Sequence, residues 1–248
     1  MDASSAPARA CRRRVPAAAV AGWLLVLAAT VAAAAEAPEA AARRAMVARI
    51  RTVAAEPLDA RVLAVLGVVP RHRFVPADQV PYAYENRPLD IGYGQTISQP
   101  YIVALMTSLA RPRRGQVVLE VGTGSGYQAA VLAPLVGQVY SIEIVEPLAA
   151  TAKLRLQALG YRNVRTRVGD GYYGWSEAGP FDAILVTAAA PSIPPPLLAQ
   201  LKPGGRMVVP VGSSFFTQTL MLVEKDRDGR VRSHQVLPVR FVPLTGDH

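Results

Sequence analysis

The sequence predicts a doubly wound α/β fold, in which helices cover both faces of a mostly parallel sheet. Short apolar runs rich in β-branched residues alternate with helix-like segments from Val117 towards the C-terminus. Three closely spaced glycines directly follow the first apolar run, and an acidic residue, Glu143, ends the second. In folds of this class the ligand binds at the carboxyl ends of the strands, beside that turn.

Composition and charge indicate one sizeable domain and no nucleic-acid partner. The 248 residues are 51% hydrophobic, and the formal net charge is +9. Several of the positive charges lie near the N-terminus, and the others form no dense cluster interleaved with aromatic residues. The single cysteine, Cys11, and the scattered His72, His234 and His248 offer neither metal-ligand spacing nor a nucleophile with its base. We therefore expect no metal site.

The first 35 residues are organised like a secretory signal peptide. Arginines between Arg9 and Arg14 form a positive region, Val15–Val31 is apolar, and Ala32–Ala35 resembles a cleavage site. An uncleaved membrane anchor is the main alternative, because the apolar stretch approaches the roughly 20 residues that span a bilayer. A start codon placed upstream of a cytoplasmic protein is the third possibility. If the segment is cleaved, we expect a periplasmic protein, residues 36–248, without stable membrane association.

The segment before the sheet is predicted to form a helical cap. Residues 37–42 have the composition of a short linker. Apolar residues then recur at helical spacing in Arg43–Val53 and again in Asp59–Leu66, where Asp59 is a candidate N-cap.

A polar but nearly uncharged loop over Ile91–Tyr101 follows the cap. It contains glycine, hydroxyl and amide groups, which is an unusual composition for either a core or a simple solvated surface. Ser98 precedes a helix predicted over Tyr101–Leu109. Its hydroxyl is interpreted either as the N-cap of that helix or as a group that faces the ligand.

The glycine turn is the strongest local indication of a ligand. A strand over Val117–Val121 leads into Gly122-Thr-Gly-Ser-Gly126, and a helix is predicted over Tyr127–Val136. Glycines allow positive φ angles and a close approach of ligand to backbone. The last glycine of the dinucleotide-binding pattern is missing. A turn needed only to pack the helix on the sheet is the structural alternative.

Two carboxylates near this turn favour a cationic nucleoside over a dinucleotide. Glu120 lies on the strand just before the glycines, and Glu143 follows the strand predicted over Gln138–Ile142. Glu143 is placed to accept hydrogen bonds from ribose hydroxyls. S-adenosylmethionine carries a sulfonium, an ammonium and a ribose, so carboxylates suit it better than they suit the pyrophosphate of NAD.

The later elements continue the alternation of strands and helices. A helix over Pro147–Leu159 precedes a strand over Asn163–Val168. Asp170, in the following Gly-Asp-Gly turn, is placed either to accept from an adenine amino group or to stabilise an ordinary turn. A short helix is predicted over Pro195–Leu201, and strands over Phe181–Thr187, Arg206–Val211, Leu220–Glu224 and Val236–Val242.

From about Arg43 to Gly246 the chain resembles the protein-L-isoaspartate(D-aspartate) O-methyltransferase family. The most specific matching stretch is Gly94-Gln-Thr-Ile-Ser-Gln-Pro100, and others are Val69–Val75, Val118–Tyr127, Gly169–Gly171, Pro180–Ala183, Gly204–Gly205 and Arg240–Leu244. The resemblance implies a Rossmann-like, seven-stranded S-adenosylmethionine-dependent methyltransferase sheet. Residues 36–110 would form the helical cap and active-site loop, and residues 111–248 the cofactor-binding sheet.

The resemblance also implies a reaction and a set of site residues. The reaction is methyl esterification of the α-carboxyl of L-isoaspartyl, and also D-aspartyl, residues in damaged proteins, which begins their repair. Ser98 takes the position of the family's active-site serine. The residues expected to bind S-adenosylmethionine are Thr96, Ile97, Glu120, Gly122, Thr123, Gly124, Ser125, Gly126, Glu143, Asp170 and Gly171. We expect a monomer that acts on isoaspartyl-containing proteins and peptides.

The chain departs from the family pattern in two places. Asn86 stands where the family usually has an acidic residue. The signal-like N-terminus is unusual, because the family is typically cytoplasmic, where the cofactor is made.

Two other functions stay open on the sequence alone. One is a methyltransferase for a different carboxylate, a small molecule or a nucleic acid. Thr187 is followed by Ala-Ala-Ala-Pro, which lacks the Asn/Asp-Pro-Pro-Tyr element of amino-group base methylation. The other is a non-catalytic exported binding protein. The intact glycine turn and Glu143 argue against it, because such a protein would need neither.

Overall fold

The computed structural model describes Met1 and residues 37–213 and 215–247. The proposed signal segment therefore lies outside the described residues, apart from Met1. Contacts between Cα atoms divide the chain after Pro38, and the sites described below lie in the unit that begins at Glu39. Among the described residues, no helix has both the length and the apolar character needed to cross a membrane.

The chain alternates helices and strands, as the hydrophobic pattern predicts. The helices are α1 (Ala37–Val53), α2 (Ala60–Leu66), α3 (Pro100–Ala110), α4 (Tyr127–Leu132), α5 (Glu146–Ala158) and α6 (Pro195–Ala199). The strands are β1 (Leu89–Gly92), β2 (Gln95–Ile97), β3 (Val117–Val121), β4 (Gln138–Glu143), β5 (Val164–Val168), β6 (Phe181–Val186), β7 (Leu201–Val211), β8 (Gln218–Lys225) and β9 (Val231–Val239).

Seven of these strands form one sheet in the order β5-β4-β3-β6-β7-β8-β9. Strands β3 to β7 are parallel, whereas β8 and β9 are antiparallel to their neighbours. The chain first builds outward from β3 to β5 and then returns to place β6 on the other side of β3. This reversal puts the switch point, and thus the expected ligand crevice, at the carboxyl end of β3. The predicted doubly wound, seven-stranded fold is confirmed.

Strand β3 is buried on both of its faces. Val118 packs into an apolar cluster with residues of α1 to α4, whereas the next residue, Leu119, packs into a second cluster on the opposite face. Successive side chains of a strand point to opposite faces, so the unbroken apolar run of β3 is what a central parallel strand requires. The glycine turn therefore follows a rigid, fully covered strand.

The predicted linker over residues 37–42 is wrong, because α1 already begins at Ala37. Alanine has the highest helix propensity, and this stretch is rich in it. The helix is held by apolar residues further along, since Met46 and Ile50 are 2% and 0% exposed.

Ser98 is not the N-cap of the following helix. Helix α3 begins at Pro100, and the Gln99 side chain at the cap position does not cap the helix but donates to the carbonyl oxygen of Asn86 at 2.9 Å. The Oδ1 atom of Asn86 instead accepts from the backbone N–H of Tyr101, at 3.0 Å. The side chain of Asn86, from a separate segment, thus accepts from a backbone N–H at the start of the helix. The Ser98 hydroxyl is not needed as the N-cap.

Two other boundaries differ from prediction in ways that matter for the site. Helix α4 ends at Leu132 and a short 3₁₀ helix follows, because Pro134 cannot continue an α-helix. The last strand, predicted over Val236–Val242, spans Val231–Val239 instead. The chain beyond it leaves the sheet and pairs with Ala189 at the end of β6, through a bridge to Pro243.

Candidate functional site

The glycine turn is fixed by a side chain from the neighbouring strand. Gly122 has φ of +93°, and a Cβ at this position would lie 2.4 Å from Oγ1 of Thr187. That hydroxyl contacts the carbonyl oxygens of Val121 and Gly122, at 2.9 and 2.7 Å. Only glycine therefore combines this backbone angle with this close packing. The sequence alone did not single out Thr187, although its place at the carboxyl end of a predicted strand was a usable signal.

Glu143 lies beside the glycine turn and is hydrogen-bonded to it. Its side chain accepts from the backbone N–H of Gly124 at 2.7 Å and from that of Val145 at 2.9 Å. A carboxylate has about four acceptor directions, so about two are still available. Glu143 is 6% exposed, and the cavity beside the turn is where it meets open space. This geometry suits acceptance of two ribose hydroxyls.

A small cavity lies between the turn and the C-terminal segment. It has a volume of about 50 Å³. Thr96, Gly122, Gly124, Glu143 and Gly171 are among the residues that line it, so five predicted cofactor positions meet here. Its outer wall is residues 242–245.

The other predicted cofactor residues lie around this cavity but do not line it. Ile97 is 4% exposed and belongs to the apolar core, and Thr123 and Ser125 are also buried. Gly126 is the N-cap residue of α4, with φ of +90°. Thr123, Ser125 and Gly126 thus belong to the turn itself, whereas Ile97 belongs to the apolar core.

Glu120 is fully buried and does not reach the cavity. Its Oε2 atom is hydrogen-bonded to Ser141 Oγ at 2.6 Å, and that hydroxyl is in turn 2.6 Å from Thr123 Oγ1. Burial, together with the nearby charge of Glu143, raises the pKa of Glu120 to about 8. Glu120 is therefore mostly protonated at neutral pH. Of the two carboxylates expected beside the ligand, Glu143 lines the cavity and Glu120 does not.

Asp170 is engaged by the C-terminal end of the chain. Its carboxylate accepts from the backbone N–H of Tyr172 at 2.9 Å and from that of Asp247 at 3.2 Å. A Cβ at Gly246 would lie 2.1 Å from Asp170 Oδ2, so the backbone passes directly over this side chain. The position expected to accept from an adenine is thus covered by residues 246–247.

A larger cavity of about 560 Å³ contains Ser98 in its wall. Within the described part of the chain, the Ser98 hydroxyl makes no hydrogen bond, and it is thus available to a ligand. Thr96, Thr187 and Val242 line both this cavity and the small one, so the two spaces meet at these three residues. The other residues that line the larger cavity include Asn86, Tyr101, Thr217, Arg240 and Phe241.

These observations define the class of protein. A doubly wound seven-stranded sheet, a glycine turn after β3 and a carboxylate at the end of β4 are the features of an S-adenosylmethionine-dependent methyltransferase. The donor set fits that cofactor: Glu143 keeps free acceptor directions, and Gly122 and Gly124 let a ligand approach the backbone. The adjoining cavity of about 560 Å³, with Ser98 in its wall, has room for a second molecule.

Comparison with known proteins identifies the family. The sequence profile of the protein-L-isoaspartate(D-aspartate) O-methyltransferase family matches residues 43–248. Protein-L-isoaspartate O-methyltransferase 2 of Polaromonas sp. (strain JS666 / ATCC BAA-500) is 68% identical over 203 residues, which are 82% of this chain and 96% of that protein. Protein-L-isoaspartate O-methyltransferase 1 of Cupriavidus necator is 66% identical, over 77% of this chain and 74% of that protein.

Solved structures agree with this assignment. A protein-L-isoaspartate O-methyltransferase superposes with a TM-score of 0.75 at 31% identity, over 83% of this chain and 66% of that one. A Plasmodium falciparum structure in complex with S-adenosyl-L-homocysteine shares the fold, with a TM-score of 0.70 at 23% identity, over 82% of this chain and 98% of that one. The chain belongs to the protein-L-isoaspartate(D-aspartate) O-methyltransferase family.

Proposed function

We propose that Ser98 and the crevice around Glu143 carry out the reaction of this family, the S-adenosylmethionine-dependent methylation of the α-carboxyl of isoaspartyl residues in damaged proteins. The observation that carries the proposal is the meeting of the two cavities at Thr96, Thr187 and Val242. A cofactor held at Glu143 and a carboxylate held at Ser98 would face each other across this junction.

The chain needs only to position the reactants. S-adenosylmethionine, when bound, supplies an electrophilic methyl group whose transfer to a carboxylate oxygen leaves S-adenosylhomocysteine. An α-carboxyl has a pKa near ~3.5 and is already ionised at neutral pH, so no general base is required. Ser98 donates a hydrogen bond to one oxygen of that carboxylate and aims the other at the methyl group. Orientation of this kind contributes up to roughly 7–11 kcal/mol.

Entry of the cofactor requires the C-terminal segment to move outward. The cavity beside Glu143 measures about 50 Å³, whereas ligand pockets usually measure ~300–1,000 Å³. Backbone hydrogen bonds of 2.8 Å between Ala189 and both Val242 and Leu244 hold the outer wall. We expect S-adenosylhomocysteine to change amide hydrogen exchange at residues 242–247. Exchange that stays the same at saturating ligand would argue against this movement.

The reaction is tested with three peptides that differ only at one residue. Labelled S-adenosylmethionine is offered with an L-isoaspartyl, a D-aspartyl or an L-aspartyl peptide. We expect label on the first, weaker label on the second and none on the third. Label on none of them, with cofactor binding confirmed by calorimetry, would mean that the acceptor is a different carboxylate. Absence of both label and cofactor binding would favour a non-catalytic binding protein.

We also propose that the protein acts as a monomer outside the cytoplasm. Support for export comes from the sequence: the arginines near the N-terminus, the apolar Val15–Val31 and the small residues up to Ala35. Cell fractionation and N-terminal sequencing of the recovered protein test this. A mature protein that begins near Glu36 in the periplasmic fraction is expected, and an intact N-terminus in the membrane fraction would indicate an anchor. Light scattering gives the oligomeric state.

A further inference from the structure

Two adjacent phenylalanines are exposed in the loop between β7 and β8. Phe215 is 90% exposed and Phe216 is 74% exposed. Single apolar residues on a surface need no explanation, but neighbouring large aromatic side chains in water mark contact surfaces. Neither ring has a role in the cofactor crevice or in the apolar core. We call Phe215 and Phe216 the aromatic pair.

A buried polar side chain holds the loop that carries the aromatic pair. Gln218 is 2% exposed, and its Nε2 atom donates to the carbonyl oxygens of Ser213 and Phe216, at 3.0 and 2.9 Å. Its Oε1 atom accepts from the backbone N–H of Phe241 at 2.9 Å. Buried side-chain amides that satisfy backbone groups fix local structure. The backbone of the loop is thereby tied to the segment that includes Phe241.

The aromatic pair lies at the edge of the sheet that carries the site. Strand β7 is parallel to β6, and β6 is parallel to β3, so all three strands end at the same edge. Thr217, next to Phe216, lines the 560 Å³ cavity together with Ser98, and so does Phe241. The loop therefore continues the wall of the acceptor cavity outward.

We propose that the aromatic pair binds apolar side chains that flank the isoaspartyl residue in a substrate polypeptide. The inference rests on the proposed function, because it extends the acceptor site beyond the single residue that is methylated. An extended chain advances about 3.3 Å per residue, so residues two or three positions away from the reactive carboxylate leave the cavity and cross its rim. Exposed phenylalanine rings on that rim select apolar neighbours, which damaged and partly unfolded proteins expose.

The test compares two isoaspartyl peptides. One carries leucines at the second and third positions on both sides of the isoaspartyl residue, and the other carries serines there. For the unaltered chain we expect kcat/KM to be about tenfold higher for the leucine peptide, equivalent to about 1.4 kcal/mol. In the double variant Phe215→Ser/Phe216→Ser the ratio should fall towards one, chiefly through a higher KM for the leucine peptide. Activity on the serine peptide should not change.

A matched control is Leu154→Ser, which removes another exposed apolar side chain, 68% exposed on α5. This variant should keep the full preference. A preference that persists in the double variant would overturn the proposal, as would equal use of both peptides by the unaltered chain. Binding to phosphatidylcholine–phosphatidylglycerol vesicles that the double variant loses, with unchanged peptide kinetics, would assign the pair to a membrane and also overturn it. Because both peptides contain isoaspartate, methylation of neither would instead contradict the proposed function.

Discussion

The cofactor crevice and the acceptor cavity adjoin but are built differently. The crevice contains the Glu143 carboxylate, which accepts from the N–H groups of Gly124 and Val145, and it measures about 50 Å³. The acceptor cavity is much larger, about 560 Å³, and Ser98 lies in its wall. In the cavity, Ser98 has no hydrogen bond within the described residues.

The difference follows from what each region has to recognise. A cofactor is always the same molecule, so a narrow crevice whose carboxylate is fixed by two hydrogen bonds can be matched to it once. Damaged proteins present many neighbouring sequences around one common feature, the isoaspartyl carboxylate. An open cavity with the available Ser98 hydroxyl would recognise that common feature, and the proposed aromatic pair would favour apolar neighbours without requiring a fixed sequence. Substitutions should therefore separate cofactor affinity from acceptor kinetics.

Replacing Glu143 with alanine should have the largest effect, which is a loss of affinity for the cofactor. The variant loses the acceptor for ribose and leaves the N–H groups of Gly124 and Val145 without their partner. Hydrogen bonds to charged groups contribute ~1.5–3 kcal/mol each, so affinity for S-adenosylhomocysteine should fall at least ~100-fold. Calorimetry measures this. Glu143→Gln keeps one acceptor oxygen, so its affinity should lie between those of the unaltered chain and the alanine variant. An unchanged affinity in the alanine variant would exclude Glu143 from the cofactor site.

Ser98→Ala should lower the activity on the methyl acceptor without changing the affinity for the cofactor. One hydrogen bond to a charged carboxylate is lost, so kcat/KM on an isoaspartyl peptide should fall about 10- to 100-fold. Melting temperature and affinity for S-adenosylhomocysteine should stay the same, because Ser98 neither caps α3 nor lines the crevice. Ser233→Ala, an exposed hydroxyl on β9, is the control. Turnover equal to that of the control would remove Ser98 from the mechanism.

Glu120→Gln should have the smallest effect and should appear as a change in pH dependence. The pKa of Glu120 is raised from 4.5 to about 8 by burial, so between these values the folded state holds a proton that the unfolded state releases. This contribution therefore lowers stability as pH rises from about 4.5 to about 8. Glutamine resembles the protonated acid and does not titrate.

Thermal unfolding at about pH 5 and about pH 8 compares the variant with the unaltered chain. The decline in melting temperature should be smaller in Glu120→Gln. Glu56→Gln, which changes an exposed carboxylate, should show the same decline as the unaltered chain. Equal declines in all three proteins would mean that Glu120 is ionised in the folded state.

The sequence by itself predicted the fold class, which the structure confirms, and the glycine turn and Glu143 that meet at the small cavity. Strands β3 and β6 are unbroken apolar runs because both of their faces are buried. A glycine turn with an acidic residue one strand later is a local indication of a nucleoside-binding site. These features involve residues close together in the chain or repeated with a regular period. They can therefore be recognised from the sequence alone, and the predicted strand over Val117–Val121 was confirmed to the residue.

Only the tertiary structure decided which long-range partners complete the site. Asn86 caps α3 from outside the helix, Thr187 pins the glycine turn, and Gln218 ties the loop of Phe216 to Phe241. The contact of Asn86 with Tyr101 joins residues 15 positions apart, that of Thr187 with Gly122 residues 65 apart, and that of Gln218 with Phe241 residues 23 apart. The burial that raises the pKa of Glu120 is likewise a property of everything packed around it. Such effects depend on packing between distant segments, and no local pattern of residue types encodes that packing.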